Sequence, residues 1–410
     1  MNIVHFATND FGGAGLATVK MHNALIKINV NSYLIVKNKK SENQYILEFD
    51  KKFFLKKIHR RMKRFFNISK PYKTNKYYFP LSNNQSINNL KTSKLLKLLP
   101  YEPDILIFHW ISGFINYKTI FEIQTATKAK IFIMMQDNEP LTGGCHYPWE
   151  CKKYQNLCTN CPALKINKKL AEINFVSKKK YINLFKPVLL SGSKQDIEKA
   201  GKSALYKNQH IERFNAIVDK EVFFYKEKKG FKYPLKILFA AVNINEKRKG
   251  FQYLKDALDI LSKKYNYNDI EVSIASKTES EIKLSFPTKM LGFLPNDKAL
   301  AMAISNSDCF VNCSIEDSGP YILYLALMSG RAIVSFDVGC ARNVIEHKVN
   351  GYIAKNEDPV DLARGMEFIL KNHSKLPFMN EKSRRKAVEN HSEEIATKQL
   401  IKIFNKYIGR

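Results

Sequence analysis

Carboxylates and cations in this chain fall on turns that a parallel sheet would gather at one end. Asp308 to Ser314 is a short apolar run read as a strand, followed by an acidic turn of Glu316, Asp317, Ser318, Gly319 and Pro320. An apolar helix is expected from Tyr321 to Met328, closed by Gly330, and a second strand from Ala332 to Asp337. This is one strand-turn-helix-strand unit. In such sheets ligands sit at the carboxyl ends of strands, where helix starts offer N–H groups to anions. Glu316 could bind sugar hydroxyls, while the backbone of Ser318, Gly319, Pro320, Tyr321 and Ile322 faces a phosphate. Asp317 and Ser318 are the residues placed to cap the helix. Arg248 and Lys249 stand after another expected strand and before a helix starting near Gly250. They could supply the fixed positive charge that a departing diphosphate requires, or be an ordinary solvated pair.

Other residues carry weaker signals. Gly12, Gly13, Ala14 and Gly15 form a glycine-rich turn where backbone can approach a ligand closely. The spacing is not that of a dinucleotide fingerprint, which argues against a nicotinamide cofactor. His109 ends one strand, and a ligand-facing role and a packed structural role fit it equally. Gln136 and Asp137 follow the strand Lys130 to Met135; glutamine can hydrogen-bond a hydroxyl but carries no proton at neutral pH. Cys145, Cys151, Cys158 and Cys161 lie close together, and a structural zinc site, two disulfides or four free thiols all fit their spacing, with His146 a substitute ligand. Cys309, Cys313 and Cys340 read as core residues.

The elements that must position these groups fall into two βα series. The first has strands at Asn2 to Ala7, Asp104 to Phe108, Lys130 to Met135 and Pro187 to Ser191, with a helix over Leu16 to Leu25. The second runs through Leu235 to Val242, Ile270 to Ala275, Met290 to Phe293, Cys309 to Asn312 and Ala332 to Asp337. Asn215 to Lys232 is charged and irregular and reads as the link between two α/β domains. With 410 residues, 45% hydrophobic and 12% aromatic, there is enough apolar material for two cores.

The net charge of +29 suits anionic partners, although the abundance of Lys, Asn and Ile together also fits an AT-rich coding bias. No zinc-finger, RNP or helix-turn-helix signature accompanies the charge, so nucleic acid is not an expected partner. Lys51 to Phe66 places apolar residues at helical spacing among Lys and Arg. The pattern fits a helix lying on an anionic membrane surface, or a solvated helix packed on its own domain. No apolar run reaches the roughly 18 residues of a membrane span, and the start lacks a signal-peptide pattern. A cytoplasmic protein, peripheral on the inner membrane face, is expected.

The EDSGP turn with its flanking strands resembles the donor-binding segment of family-4 retaining glycosyltransferases, in particular the branch building bacterial capsule, exopolysaccharide and O-antigen. The resemblance extends through the GGAG start, FHW, TGGCHY with its cysteines, RKG and the late VNGYIA strand. It implies a GT-B fold: two Rossmann-like α/β domains facing a cleft, residues 1–217 for the acceptor and 218–392 for the donor. The last helix, within 393–410, is then expected to cross back to the first domain. It further implies transfer from a UDP- or GDP-sugar to a growing, lipid-linked glycan, with retention and without a catalytic metal. Arg248 and Lys249 would bind the diphosphate, Glu316 the donor sugar, and the loop Gly12 to Gly15 with His109 the acceptor side. Gln136 and Asp137 occupy a catalytic position where such enzymes usually read His-Asp. A second acid usually follows the first on the EDSGP unit, and here Tyr324 or Leu325 fills that slot. The two departures favour an alternative, a non-catalytic homologue acting as a binding or scaffold subunit.

Overall fold

The computed structural model describes residues 1–49, 77, 90–165, 167–227, 233–277 and 282–409. Lys51 to Phe66 lies outside them. The chain divides into two compact units. Unit 1 comprises Met1–Ser191, Asp196–Arg213 and Leu400–Arg410; unit 2 comprises Gly192–Gln195 and Phe214–Gln399.

Unit 1 is built on a seven-stranded sheet. Its strands are β1 (Asn2–Asn9), β2 (Asn31–Asn38), β3 (Ile46–Glu48), β4 (Ile105–Phe108), β5 (Lys130–Met134), β6 (Val188–Ser191) and β7 (His210–Arg213), in the order β3-β2-β1-β4-β5-β6-β7. Every neighbouring pair is parallel, which is why β1 and β4 to β6 read as nearly unbroken apolar runs. The helices of this unit are α1 (Gly12–Lys27), α2 (Thr92–Leu96), α3 (Tyr117–Thr127), α4 (Lys169–Phe185) and, from Asp196 onward, α5 (Lys194–Lys202). Phe6 and Phe108 stack across β1 and β4 with ring centres 4.9 Å apart. The expected glycine loop is instead the first turn of α1. Gly15 lies so close to β1 that a Cβ there would sit 2.7 Å from the Asn9 carbonyl oxygen, so its glycine serves helix–strand approach.

Unit 2 holds a six-stranded parallel sheet. Its strands are β8 (Leu235–Ala240), β9 (Ile270–Ala275), β10 (Thr288–Gly292), β11 (Cys309–Asn312), β12 (Ala332–Phe336) and β13 (Gly351–Ala354), in the order β10-β9-β8-β11-β12-β13. Its helices are α6 (Phe251–Leu261), α7 (Asp297–Asn306), α8 (Ile322–Met328), α9 (Ala341–Val344), α10 (Pro359–Lys371) and α11 (Leu376–His391). Both units are therefore Rossmann-like α/β domains. The last helix, α12 (Glu393–Ile408), begins in unit 2 and from Leu400 belongs to unit 1. There Phe404 meets Phe132 edge-on at 4.9 Å and Lys406 pairs with Glu212 at 2.6 Å. β10 starts two residues earlier than the apolar run suggests, because its edge position leaves Lys289 and Met290 exposed.

Three of the four buried histidines of unit 1 lie on or against β1, β4 and α1. His5 on β1 and His109 after β4 stack with centres 5.2 Å apart and share a hydrogen bond of 2.9 Å between Nδ1 and Nε2. His22 on α1 bonds Ser32 Oγ through Nδ1 at 2.8 Å. Nε2 of His5 and His22 and Nδ1 of His109 have no protein partner. His109 is thus packed against the sheet. Burial holds all three imidazoles below their usual range, His22 at about 4 and His109 at about 3, helped at His5 and His109 by neighbouring imidazoles. The unfolded chain takes up protons near the ordinary histidine value while the folded chain does not, so stability is lost as pH falls from about 6.5 toward 4. His22 alone is expected to account for on the order of 3 kcal/mol by pH 4. Thermal unfolding of His22→Gln should show a flatter decline over that interval than the parent.

Candidate active site

The basic loop of unit 2 is fixed by close backbone contact. After β8 the chain forms a short 3-10 turn, Lys247–Lys249, ending at Gly250 with φ +65°. A Cβ on Gly250 would lie 1.8 Å from the Cys313 carbonyl oxygen, so only glycine admits this approach to the end of β11. The Ile315 N–H donates to the Arg248 carbonyl at 2.8 Å, completing the stitch. The RKG loop and the EDSGP turn, far apart in sequence, are thereby neighbours.

Their side chains meet at one atom. Arg248 Nη1 and Lys249 Nζ donate to the same oxygen, Asp317 Oδ2, at 2.8 and 2.7 Å. Arg248 Nε also donates to Glu246 Oε1 at 2.5 Å. Burial alone would push the Asp317 carboxyl up, but Lys249 and Arg248 outweigh it and hold the group below its ordinary value. The expected helix cap is not made: α8 starts at Ile322, and its capping position, Tyr321, makes no side-chain cap. Asp317 Oδ1 instead accepts the Gly319 N–H within the turn at 3.3 Å. The Leu323 N–H bonds the Pro320 carbonyl at 3.0 Å, and the Tyr321 hydroxyl donates to the Ile217 carbonyl. Ser318 is buried, whereas Glu316 is half-buried beside Asp317.

The slot of the usual second acid is filled from the core. Tyr324 and Leu325 are both buried. The Tyr324 hydroxyl donates to the Gly192 carbonyl at 3.1 Å and its ring lies 4.6 Å from that of His391. A phenol here ties unit 2 together.

In unit 1 the segment after β5 is a buried polar knot. Gln136 Nε2 donates to the Ala14 carbonyl at 2.9 Å, while its Oε1 accepts the Trp110 N–H at 3.0 Å. Asp137 Oδ2 meets His146 Nδ1 at 2.5 Å and accepts from Trp110 Nε1 at 2.8 Å, and Oδ1 accepts the Glu139 N–H at 2.8 Å. Lys178 of α4, fully buried, donates to Glu139 Oε1 at 2.6 Å and to the carbonyls of Glu139 and Thr142 at 2.7 and 2.9 Å. Two residues of this knot escape a reading by residue type. His146 is engaged with Asp137. Lys178 was visible only through position, standing between Phe175 and Ile182 on the apolar face of α4.

The four clustered cysteines line one cavity with Thr142, Pro148, Tyr154 and Ala163. They do not fit the expected zinc. Among the described residues no three His, Cys, Asp or Glu side chains come together as metal ligands. Cys145 Sγ donates its proton to the Tyr147 carbonyl at 3.1 Å, and Cys158 Sγ accepts the Gly143 N–H at 3.3 Å. Burial pushes the Cys145 and Cys161 thiols up and that of Cys158 to about 12, which favours the protonated form. All seven cysteines are free, and Cys309, Cys313 and Cys340 are buried as expected.

Residues 234–372, most of unit 2, match the sequence family described as Glycosyl transferases group 1. An uncharacterized glycosyltransferase of Haemophilus influenzae is 25% identical over 154 residues, 36% of this chain and 43% of that protein. The chain therefore matches less than half the length of this curated relative. Solved structures align over nearly the whole chain. Sucrose-phosphate synthase from Thermosynechococcus elongatus has a TM-score of 0.66 at 10% identity, covering all of both chains. HepE from Anabaena, in complex with UDP and glucose, has 0.63 at 13%, covering 99% of each. The pneumococcal O-GlcNAc transferase GtfA, in complex with UDP and GlcNAc, has 0.64 at 12%, also covering 99% of each. These likenesses establish the GT-B class of fold with two Rossmann-like domains.

Protein purified without added zinc is expected to carry well under one zinc per chain, and all seven cysteines should titrate as thiols on unfolding. Stoichiometric zinc by elemental analysis would overturn this account of the cavity.

Proposed function

We propose that this protein is a nucleotide-sugar-dependent glycosyltransferase that binds the donor in unit 2. The observation that carries the reading is the convergence of Arg248 and Lys249 on the EDSGP turn, inside the segment that matches the glycosyl transferases group 1 family. Breaking the bond between the sugar carbon and the diphosphate oxygen leaves charge on the departing nucleotide. Two fixed cations stabilise that charge without proton transfer. Glu316 is the donor-sugar contact, and Ser318 to Ile322 form the backbone wall of the site. Two of the structural neighbours were solved with UDP, which makes a uridine diphosphate sugar the first donor to try and GDP-sugars the second. Transfer proceeds with retention, as the family-4 resemblance implies, the donor phosphate itself assisting the acceptor hydroxyl.

The acceptor in this reading is a lipid-linked cell-surface glycan met at the inner membrane face. The support is the sequence of Lys51 to Phe66, with its basic and apolar residues interleaved. No helix among the described residues is long and apolar enough to cross a membrane. A second reading, a binding subunit without transferase activity, is favoured by Tyr324 in the place of the second acid and by Asp137 being fully engaged with three donors. Nucleotide binding without sugar transfer to any glycan lipid would select it.

Nucleotide sugars that bind are expected to raise the melting temperature. Replacing Arg248 and Lys249 together by Ala should weaken that binding by about 2–4 kcal/mol, since charge-assisted bonds to phosphate are lost. Unchanged affinity in the double variant would remove the clamp from the mechanism. In vesicle flotation the protein should bind anionic lipid, weaken with added salt, and lose binding when Lys56, Lys57, Arg60 and Arg61 become Glu.

A further inference from the structure

We propose that Asp317 is an internal anion seated in the diphosphate site, so that a nucleotide must displace its carboxylate to bind. This rests on the reading of Arg248 and Lys249 as the diphosphate clamp. Both cations point at a single oxygen, Asp317 Oδ2, from 2.8 and 2.7 Å, the arrangement a terminal phosphate oxygen would require. Glu246 takes the Nε face of the same guanidinium. The cluster thus sets two carboxylates against two cations, and an arriving diphosphate meets balanced charge rather than an open positive site.

The carboxylate is mounted so that it can leave. Asp317 rides on the turn, and the protein bond to its other oxygen is the long one from the Gly319 N–H, 3.3 Å, inside the same turn. The cations, by contrast, are anchored by backbone: Gly250 abuts Cys313 and the Ile315 N–H holds the Arg248 carbonyl. Binding is then an exchange in which bonds to Oδ2 are given up as bonds to phosphate form. Apparent affinity falls by the fraction of molecules whose clamp is open. A monoanion replaces like with like, whereas a diphosphate offers oxygens to both cations at once. Asp317 also holds two adjacent positive charges together in the ligand-free protein, which would otherwise repel.

Calorimetric titration of the full chain with UDP, GDP and inorganic pyrophosphate tests this in the parent, Asp317→Asn, Asp317→Glu and the Arg248/Lys249 double Ala variant. Asp317→Asn is expected to tighten pyrophosphate and the preferred nucleotide by about tenfold or more, the worth of one charge-assisted bond. Its ligand-free melting temperature should fall, because the cations lose their partner. Asp317→Glu keeps the charge and should stay within about threefold of the parent. Asp317→Ser, which keeps an oxygen for the Gly319 N–H, should tighten binding as Asn does, and serves if Asn does not fold. A parent that binds through Arg248 and Lys249 as tightly as, or more tightly than, both Asp317→Asn and Asp317→Ser overturns this inference alone. Failure of parent and variants to bind any of the three probes overturns the diphosphate reading and this inference together.

Discussion

Parallel pairing is the constraint from which the site in unit 2 follows. A parallel strand cannot return through a hairpin, so each crossover carries a helix and every strand ends at the same edge. The loops leaving β8, β11 and β12 therefore collect together, although Arg248 and Asp317 are 69 residues apart in sequence. Gly250 converts that nearness into contact by letting backbone touch backbone at Cys313. Only then can two cations share one carboxylate oxygen.

Unit 1 obeys the same topology but spends its polar residues differently. Its segment after β5 buries a carboxylate, an imidazole, an indole N–H and an ion pair around Lys178, each with partners. Removing one partner from such a set strands a charged or polar group in the interior, which costs several times more than the bond itself contributes. The knot is therefore rigid as a unit, and Gln136 is held between α1 and the Trp110 backbone with both ends of its amide engaged.

Most of the architecture was legible because buried parallel strands leave apolar runs, as at Ile105–Phe108 and Val188–Ser191, and a half-buried one leaves an alternation, as at Ile270–Ala275. The basic loop and the acidic turn were legible too, since charge beside glycine at a strand end is a recognisable pattern. What the sequence concealed was pairing. Asp317 looked like a helix cap because its spacing suited one, but the pull of two cations exceeds that of a few partial charges on backbone amides. His146 looked like a spare metal ligand because cysteines surround it in sequence, and only the fold carries it to Asp137. Short polar strands such as β7, with both ends exposed, left no apolar signature to read.

The passage of α12 from one unit into the other has a consequence for biosynthesis. Unit 1 is assembled from segments at the two ends of the sequence, with Phe404 filling the space beside Phe132 on β5. A ribosome releases the first of these segments long before the last, with the whole of unit 2 made in between. Domains generally fold as they emerge, the earlier one first. Here the earlier domain lacks its last segment until synthesis ends, so Phe132 cannot gain its contact with Phe404 before the final residues of the chain have been made.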